Sequence, residues 1–225
     1  MNKKLVFLFD VDNTLLDNDR VTADLKQHLE REIGHERQER YWSIFEELRT
    51  ELGYADYLGA LQRYRGIYPR DPHVLNLSEF LLHYPFASRL FPKSLDVVKY
   101  VKQCGTPVIL TDGDVVFQPH KIHDSGLYEA FSGSVLIYIH KELELEDVAA
   151  RYPADHYVLI DDKLRILTDV KKIWKQRVTT IFVRQGHYAL DEKVVSSYPP
   201  ADITIERIGN MLQLPLEMDR APWYG

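Results

Sequence analysis

The stretch from Leu5 to Asp17 constrains the fold more than any other part of the chain. It begins with five apolar residues, two of them aromatic, and then turns polar at Asp10 and Asp12. A short apolar run that breaks into polar residues is typical of a strand buried on both faces of a parallel sheet. Open α/β sheets bind their ligands at the carboxyl ends of such strands. The sequence therefore predicts two carboxylates at a ligand-binding edge, although Asp12 followed by Asn13 would also suit a simple turn.

The rest of the chain alternates between strand and helix. Further apolar runs that end in polar residues lie at 107–110, 134–139, 157–160 and 178–183, and a short run at 202–205 suits an edge strand. Stretches with the apolar spacing of helices separate them. This alternation predicts an α/β fold with a Rossmann-like, doubly wound parallel sheet.

Between residues 18 and 89 the spacing of apolar residues is helical throughout. Four apolar stripes occur, namely Leu25, Leu29 and Ile33; Tyr41, Ile44, Phe45, Leu48 and Leu52; Tyr57, Leu58, Leu61 and Tyr64; and Leu77, Phe80, Leu81 and Tyr84. Thr22 or Asp24 is available to cap the first of these helices. We therefore predict two domains: a Rossmann-like core formed by residues 1–17 and 90–225, and a small all-helical domain formed by residues 18–89.

Composition excludes several classes of partner. A formal net charge of -6 gives no electrostatic footprint for nucleic acid or for an anionic membrane surface. No apolar run approaches the ~18 residues that a membrane span needs. The single cysteine, Cys104, excludes a disulfide framework and suits a reducing compartment. We expect a cytoplasmic protein with a small-molecule partner, and the sequence leaves its oligomeric state open.

Polar residues follow four of the predicted strands. They are Asp10 with Asp12, Thr111 with Asp112 and Gly113, Lys141, and Asp161 with Asp162. Taken singly, each has a simpler explanation as a turn, a surface lysine or a helix cap. In a doubly wound sheet, however, these strand ends converge on one crevice. Their convergence predicts an active site.

The segment from Asp10 to Asp17, with its Asp-x-Asp-x-Thr pattern after a hydrophobic strand, resembles the first motif of the haloacid dehalogenase superfamily of hydrolases. Thr111, Lys141 and the acidic pair 161–162 are similar to the family's later motifs and come in the same order. The helical insert resembles, in position and type, the cap domain that many of these hydrolases carry directly after the first motif.

The resemblance implies a Mg²⁺-dependent phosphohydrolase that acts on a small soluble phosphate monoester. Asp10 would be the nucleophile that forms an aspartyl-phosphate, and Asp12 would serve as general acid and then general base. Asp10, Asp161 and the main-chain carbonyl of Asp12 would hold the metal, with Asp162 as a further ligand or a close neighbour.

The same resemblance implies how the phosphoryl group is bound. Lys141 would place a positive charge on it, and the Thr111 hydroxyl with the main-chain N–H groups of Asp112 and Gly113 would bind its other oxygens. Lys121 is a rival for the role of Lys141, but it lies inside a predicted helix, so Lys141 is preferred.

The sequence also departs from the family pattern and leaves alternatives open. Glu142 follows Lys141 where proline is frequent, the two acids at 161–162 are adjacent, and Lys163 comes directly after them. A 2-haloacid dehalogenase would use the same aspartate on carbon, although it needs no carboxylate at Asp12. A phosphomutase of the same superfamily is possible, as are two non-enzymes: a phospho-acceptor domain, which would be shorter, and a catalytically silent binding protein.

Overall fold

The structure is a computed structural model that describes residues 4–216. The end of the predicted core, residues 217–225, lies outside the described range. A single sheet is formed by β1 (Leu5–Phe9), β2 (Thr106–Asp112), β3 (Val135–Tyr138), β4 (His156–Asp161), β5 (Val178–Val183) and β6 (Ile203–Ile205). All neighbouring strands are parallel, in the order β3-β2-β1-β4-β5-β6. The predicted α/β class and parallel sheet are confirmed.

Strand β1 lies at the centre of this sheet and is buried along its whole length. Its last residue, Phe9, pairs with Ile109 of β2 on one side and with Ile160 of β4 on the other. The chain therefore builds the sheet outward from β1 in both directions. This change of direction puts the topological switch point, where such sheets bind ligands, directly beyond Phe9.

Helices connect the strands. The α-helices of the described residues are α1 (Asn18–Ile33), α2 (His35–Leu52), α3 (Tyr57–Ile67), α4 (Val74–Leu82), α5 (Ser94–Val101), α6 (Phe117–Asp124), α7 (Leu127–Ala130), α8 (Leu145–Arg151), α9 (Leu164–Trp174), α10 (Gly186–Leu190) and α11 (Glu192–Ser196). Short 3₁₀-helices lie at Phe86–Arg89, Lys141–Leu143, Lys175–Arg177 and Ile208–Gln213. Within residues 4–216, no helix has the length and apolar character needed to cross a membrane.

Helix α1 begins earlier than its apolar stripe suggests. The carboxylate of Asp17 accepts a hydrogen bond from the N–H of Arg20 at 2.9 Å and caps a helix that starts at Asn18. The expectation that Thr22 or Asp24 caps this helix is therefore wrong. In the sequence Asp17 does not stand out as a cap, because it also belongs to the motif that follows β1.

Four helices, α1 to α4, lie between β1 and β2, in the segment predicted to be helical; residues 18–89 are called the helical segment below. Their buried apolar side chains join one hydrophobic cluster with Phe7 and Phe9, which point to one face of the sheet. Val6 and Leu8 point to the other face and pack with residues of α8 and α9. The division of the chain into two domains at residues 17 and 90 stays a prediction.

Candidate active site

The chain turns directly after β1 and brings Asp10 and Asp12 to the carboxyl edge of the sheet. The N–H of Asp10 still pairs with the carbonyl of Ile160 in β4, at 3.0 Å. Asn13 then adopts a left-handed φ of 61°, a conformation that asparagine tolerates better than most residues. Asp10 is buried, with 3% of its surface exposed, and one of its oxygens accepts a hydrogen bond from the Thr14 hydroxyl at 3.3 Å.

Lys141 joins the ends of two neighbouring strands by its ammonium group. Its Nζ lies 2.5 Å from Oδ1 of Asp10 and 2.7 Å from Oδ2 of Asp161. Burial alone would lower the pKa of Lys141, but the two carboxylates raise it well above its ordinary value. The residue is therefore a fixed positive charge beside Asp10.

Asp10, Asp161 and Asp162 form a buried group, called the carboxylate cluster below. One oxygen from each lies within 4.8 Å of the others. Both carboxylate oxygens of Asp162 are without a hydrogen-bond partner among residues 4–216. Burial raises the pKa of Asp162 well above its ordinary value, and burial also raises the pKa of Asp161 to about 6 against the opposing effect of Lys141.

The carboxylate cluster is chemically suited to a divalent cation. Mg²⁺ and similar hard cations prefer carboxylate oxygens, and a buried carboxylate without a partner is costly unless a cation or a proton accompanies it. The unpartnered oxygens of Asp162 are therefore the part of the structure that a metal would satisfy. The carboxylate of Asp12 lies outside the cluster, and its main-chain carbonyl stays a predicted ligand.

Thr111 and Asp112 lie at the end of β2, beside Asp10. The Thr111 hydroxyl donates to Oδ1 of Asp10 at 3.4 Å and accepts a hydrogen bond from the Gln118 amide at 3.1 Å. The carboxylate of Asp112 accepts the main-chain N–H of Lys141 at 2.7 Å. These contacts bring the predicted phosphate-binding residues together with Asp10.

The expected role of Gly113 needs correction. Its N–H, predicted to bind a phosphoryl oxygen, already donates to the carbonyl of Tyr138 at 3.0 Å. The glycine is needed for a different reason, because a Cβ at this position would lie 2.6 Å from the side chain of Gln118. Gly113 therefore allows α6 to approach the strand end closely.

Two further lysines lie at the site, although the sequence suggests Lys121 only as a rival of Lys141 and Lys163 only as a departure from the family pattern. Burial would lower the pKa of Lys163, but Asp162, Asp10 and Asp161 raise it above its ordinary value. Lys121 is 1% exposed, and its Nζ lies 2.6 Å from Oδ1 of Asp12.

A signal for Lys121 was present in the helix that follows β2. Gln118 and Lys121 are three residues apart, and this spacing puts both on one face of α6. Both are buried and both line the crevice. A polar pair at this spacing, directly after a strand end, indicates a helix face that is turned to the site.

The crevice above these residues has a volume of about 880 Å³. Its wall on the sheet side includes Asp12, Asp112 and Lys163, and aromatic residues such as Trp42 and Phe45 of the helical segment line the opposite wall. The site is therefore formed where the helical segment packs over the strand ends.

Comparisons with known proteins agree with this geometry. A protein-family model described as haloacid dehalogenase-like hydrolase matches residues 5–163. A crystal structure of a haloacid dehalogenase-like hydrolase from Burkholderia xenovorans LB400 is 60% identical over 94% of this chain and 99% of that chain, with a TM-score of 0.90. No curated protein matches the chain.

More distant structures share the fold. A haloacid dehalogenase-like family hydrolase from Xanthomonas campestris is 15% identical, covers 93% of this chain and 89% of its own, and has a TM-score of 0.67. The L-2-haloacid dehalogenase from Xanthobacter autotrophicus, with chloropropionic acid covalently bound, is also 15% identical, with coverage of 95% and 98% and a TM-score of 0.61. The family match and the close relative show that this chain belongs to the haloacid dehalogenase-like hydrolases.

Proposed function

We propose that this hydrolase is a phosphatase that cleaves a small phosphate monoester in the presence of Mg²⁺. The observation that carries the proposal is the carboxylate cluster beside Asp10, in which both oxygens of Asp162 are buried without a partner. Asp10, Asp161 and Asp162 would hold the cation, together with the main-chain carbonyl of Asp12. When bound, Mg²⁺ supplies positive charge that offsets the repulsion between a phosphate dianion and the attacking carboxylate.

Asp10 is suited to act as the nucleophile. Lys141 and Thr111 contact its Oδ1, at 2.5 and 3.4 Å, while Oδ2 accepts a hydrogen bond from the neutral hydroxyl of Thr14 at 3.3 Å. Lys141 holds Oδ1, which leaves Oδ2 to attack phosphorus in line with the leaving oxygen. The product of this step is an aspartyl-phosphate on Asp10, and Thr111 and Lys141 bind the transferred phosphoryl oxygens.

Asp12 acts as the general acid and general base of the reaction. It donates a proton to the leaving oxygen as the phosphorus–oxygen bond breaks, and it later removes a proton from the water that cleaves the aspartyl-phosphate. Its side chain is 27% exposed and lines the crevice, which gives it access to both. The two aspartates thus divide attack and proton transfer between them.

Hydrolytic dehalogenation is a second candidate, favoured by one contact. Lys121 already donates to one oxygen of Asp12 at 2.6 Å, so only the other oxygen is left to carry a proton, and a departing halide needs none. In that reaction Asp10 would attack carbon. The Xanthobacter autotrophicus dehalogenase has a similar fold, but at 15% identity this likeness concerns the fold alone.

A comparison of substrates with and without metal separates the two candidates. The purified protein is incubated with a panel of phosphorylated metabolites and with 2-chloropropionate, each with excess chelator or with Mg²⁺. We expect phosphate release that the chelator abolishes and Mg²⁺ restores. Chloride release that survives the chelator, without phosphate release from any ester, would replace the phosphatase by a dehalogenase.

A further inference from the structure

Lys121 is a buried lysine that the mechanism above does not use. Its Nζ donates to Oδ1 of Asp12 at 2.6 Å and to Oδ1 of Asn18 at 3.0 Å. The residue is 1% exposed, and a buried ammonium is costly unless it is well paired. Such a group is retained at a cost in solvation, so its contacts need an explanation.

The helix that carries Lys121 is firmly placed. The carboxylate of Asp114 accepts the N–H groups of Val116 and Phe117, at 2.8 and 2.7 Å, at the start of α6. The Phe117 ring packs against Tyr57 of the helical segment, with ring centroids 5.0 Å apart. Lys121 therefore reaches Asp12 from a rigid element rather than from a loop.

The two oxygens that Lys121 contacts belong to different parts of the chain. Asp12 lies in the turn after β1, and Asn18 is the first residue of α1, where the helical segment begins. One ammonium group thus fixes the aspartate relative to both α6 and the start of α1. The Asp12 carboxylate is still 27% exposed and lines the crevice, so the contact holds the group without covering it.

We propose that Lys121 is a positioning residue for Asp12. By holding Oδ1, it keeps the carboxyl group in the orientation in which Asp12 meets the leaving oxygen of the substrate. This inference rests on the proposed phosphatase function and adds no proton to it. Asp12 loses its proton to the leaving oxygen as the phosphorus–oxygen bond breaks, and recovers one from water in the second step.

The test compares two leaving groups. A 4-nitrophenyl leaving group departs with little help from an acid, whereas an alkyl leaving group needs protonation, and general acid catalysis contributes typically 10²–10⁴-fold. With Mg²⁺ present, Lys121→Met should reduce kcat/KM on an alkyl phosphate at least about tenfold more than on 4-nitrophenyl phosphate, because kcat/KM reports phosphoryl transfer and not the later hydrolysis that both substrates share. Lys121→Arg, which keeps a donor and the charge, should recover part of the loss. Lys171→Met removes a lysine that pairs with Asp202 at 2.8 Å, away from the crevice, and should change neither rate.

A double-mutant cycle shows whether Lys121 acts through Asp12. In the Asp12→Asn background, Lys121→Met should leave the ratio of kcat/KM on the alkyl phosphate to kcat/KM on 4-nitrophenyl phosphate unchanged, because the carboxylate that Lys121 positions has been removed. Asn18→Ala removes the second contact of the ammonium and should shift the ratio in the same direction as Lys121→Met, by a smaller factor. This milder variant also tests the proposal if Lys121→Met does not fold.

The outcomes separate a failure of the Lys121 proposal from a failure of the proposed phosphatase function. If Lys121→Met lowers kcat/KM equally on both substrates, Lys121 only supports the fold and the proposal is overturned. The same holds if Lys121→Met keeps its full effect on the ratio of alkyl to aryl kcat/KM in the Asp12→Asn background. A wild-type protein that cleaves neither phosphate ester would instead overturn the proposed function, and the role of Lys121 would fall with it. A selective loss on the alkyl ester that disappears in the Asp12→Asn background supports both.

Discussion

Asp10 is the residue at which the contacts of the site converge. Lys141, Thr111 and Thr14 contact its two oxygens, and Asp161 shares the same lysine. These contacts hold the Asp10 side chain in one orientation. A replacement of the same shape without the charge therefore tests the chemical role of the carboxylate separately from its role in the fold. Asparagine is that replacement.

Asp10→Asn should abolish turnover with little change in the fold. The amide cannot attack phosphorus, and removal of a covalent nucleophile leaves far less than about a hundredth of the original kcat. Hydrolysis of 4-nitrophenyl phosphate measures the loss, and the free energy of unfolding in urea checks the fold. The matched control is Asp202→Asn, which also loses a lysine-paired carboxylate but lies outside the crevice. Retention of more than about one per cent of kcat would show that Asp10 is not the nucleophile.

The sequence could predict which residues meet at this site, because strand ends of a parallel sheet converge whatever the details of packing. It could not predict what each group is already bonded to. The N–H of Gly113 is used by Tyr138, a pairing that depends on the register of β3 against β2. Lys121 reaches Asp12 only because α6 packs close to the strand end, and that approach is set in three dimensions.

At the scale of elements, the helices of the helical segment are held together partly by one buried carboxylate. Asp71 lies between α3 and α4 and its side chain is inaccessible to solvent. Arg37 of α2 donates to it at 2.9 Å, and the Tyr64 hydroxyl of α3 donates at 2.5 Å. The main-chain N–H of His73 donates to its other oxygen at 2.9 Å. Apolar stripes predicted the four helices, but no periodicity identifies the acid that joins them.

Asp71→Asn should destabilise the protein in a pH-dependent way. Burial raises the pKa of Asp71, but hydrogen bonds from Tyr64 and His73 and the charge of Arg37 lower it to about 2. An acid whose pKa is lower in the folded than in the unfolded state stabilises the fold above about pH 4, and this stabilisation is lost as the pH falls towards 2. The variant should lose on the order of 2 kcal/mol of unfolding free energy at pH 7.

The measurement is urea unfolding of both proteins from pH 7 down to pH 3. We expect the difference in free energy of unfolding between wild type and Asp71→Asn to shrink below pH 4. The control Glu51→Gln removes an exposed carboxylate that pairs with Arg63 at 2.7 Å, and it should cost less than about 1 kcal/mol at any pH. A difference for Asp71→Asn that is constant with pH would mean that packing, and not charge, explains its cost.

At the scale of the whole molecule, contacts beside the crevice join the helical segment to chain segments that follow two strands of the sheet. Asp19 of α1 accepts the N–H of His187 at 2.7 Å, and Arg49 of α2 donates to the Tyr188 hydroxyl at 2.8 Å. At the end of α2, Gly53 lies so close to the His140 ring that a Cβ would come within 2.7 Å of it. These contacts join the helical segment to the segments that follow β3 and β5, beside the crevice.

Because the cluster is part of the folded state only, a cation bound there should stabilise the entire protein. At ten times its Kd, a ligand that binds only the folded state adds about 1.4 kcal/mol. For a chain of 225 residues, this corresponds to a rise in Tm of about 3–6 °C. Thermal unfolding with Mg²⁺ and with chelator measures the shift without any knowledge of the substrate.

The variant Asp162→Asn tests whether this stabilisation arises at the carboxylate cluster. It keeps the size of the side chain and removes one carboxylate of the cluster, while the buried Lys163 keeps the charges of Asp10 and Asp161 beside it, so the metal-free variant should still fold. The Mg²⁺-dependent rise in Tm should disappear, because the amide is a poorer ligand than a carboxylate. Asp202→Asn, outside the crevice, should keep the full response. A rise that persists in Asp162→Asn would place the cation elsewhere, and a wild-type Tm that does not respond to Mg²⁺ would favour the dehalogenase, which needs no metal.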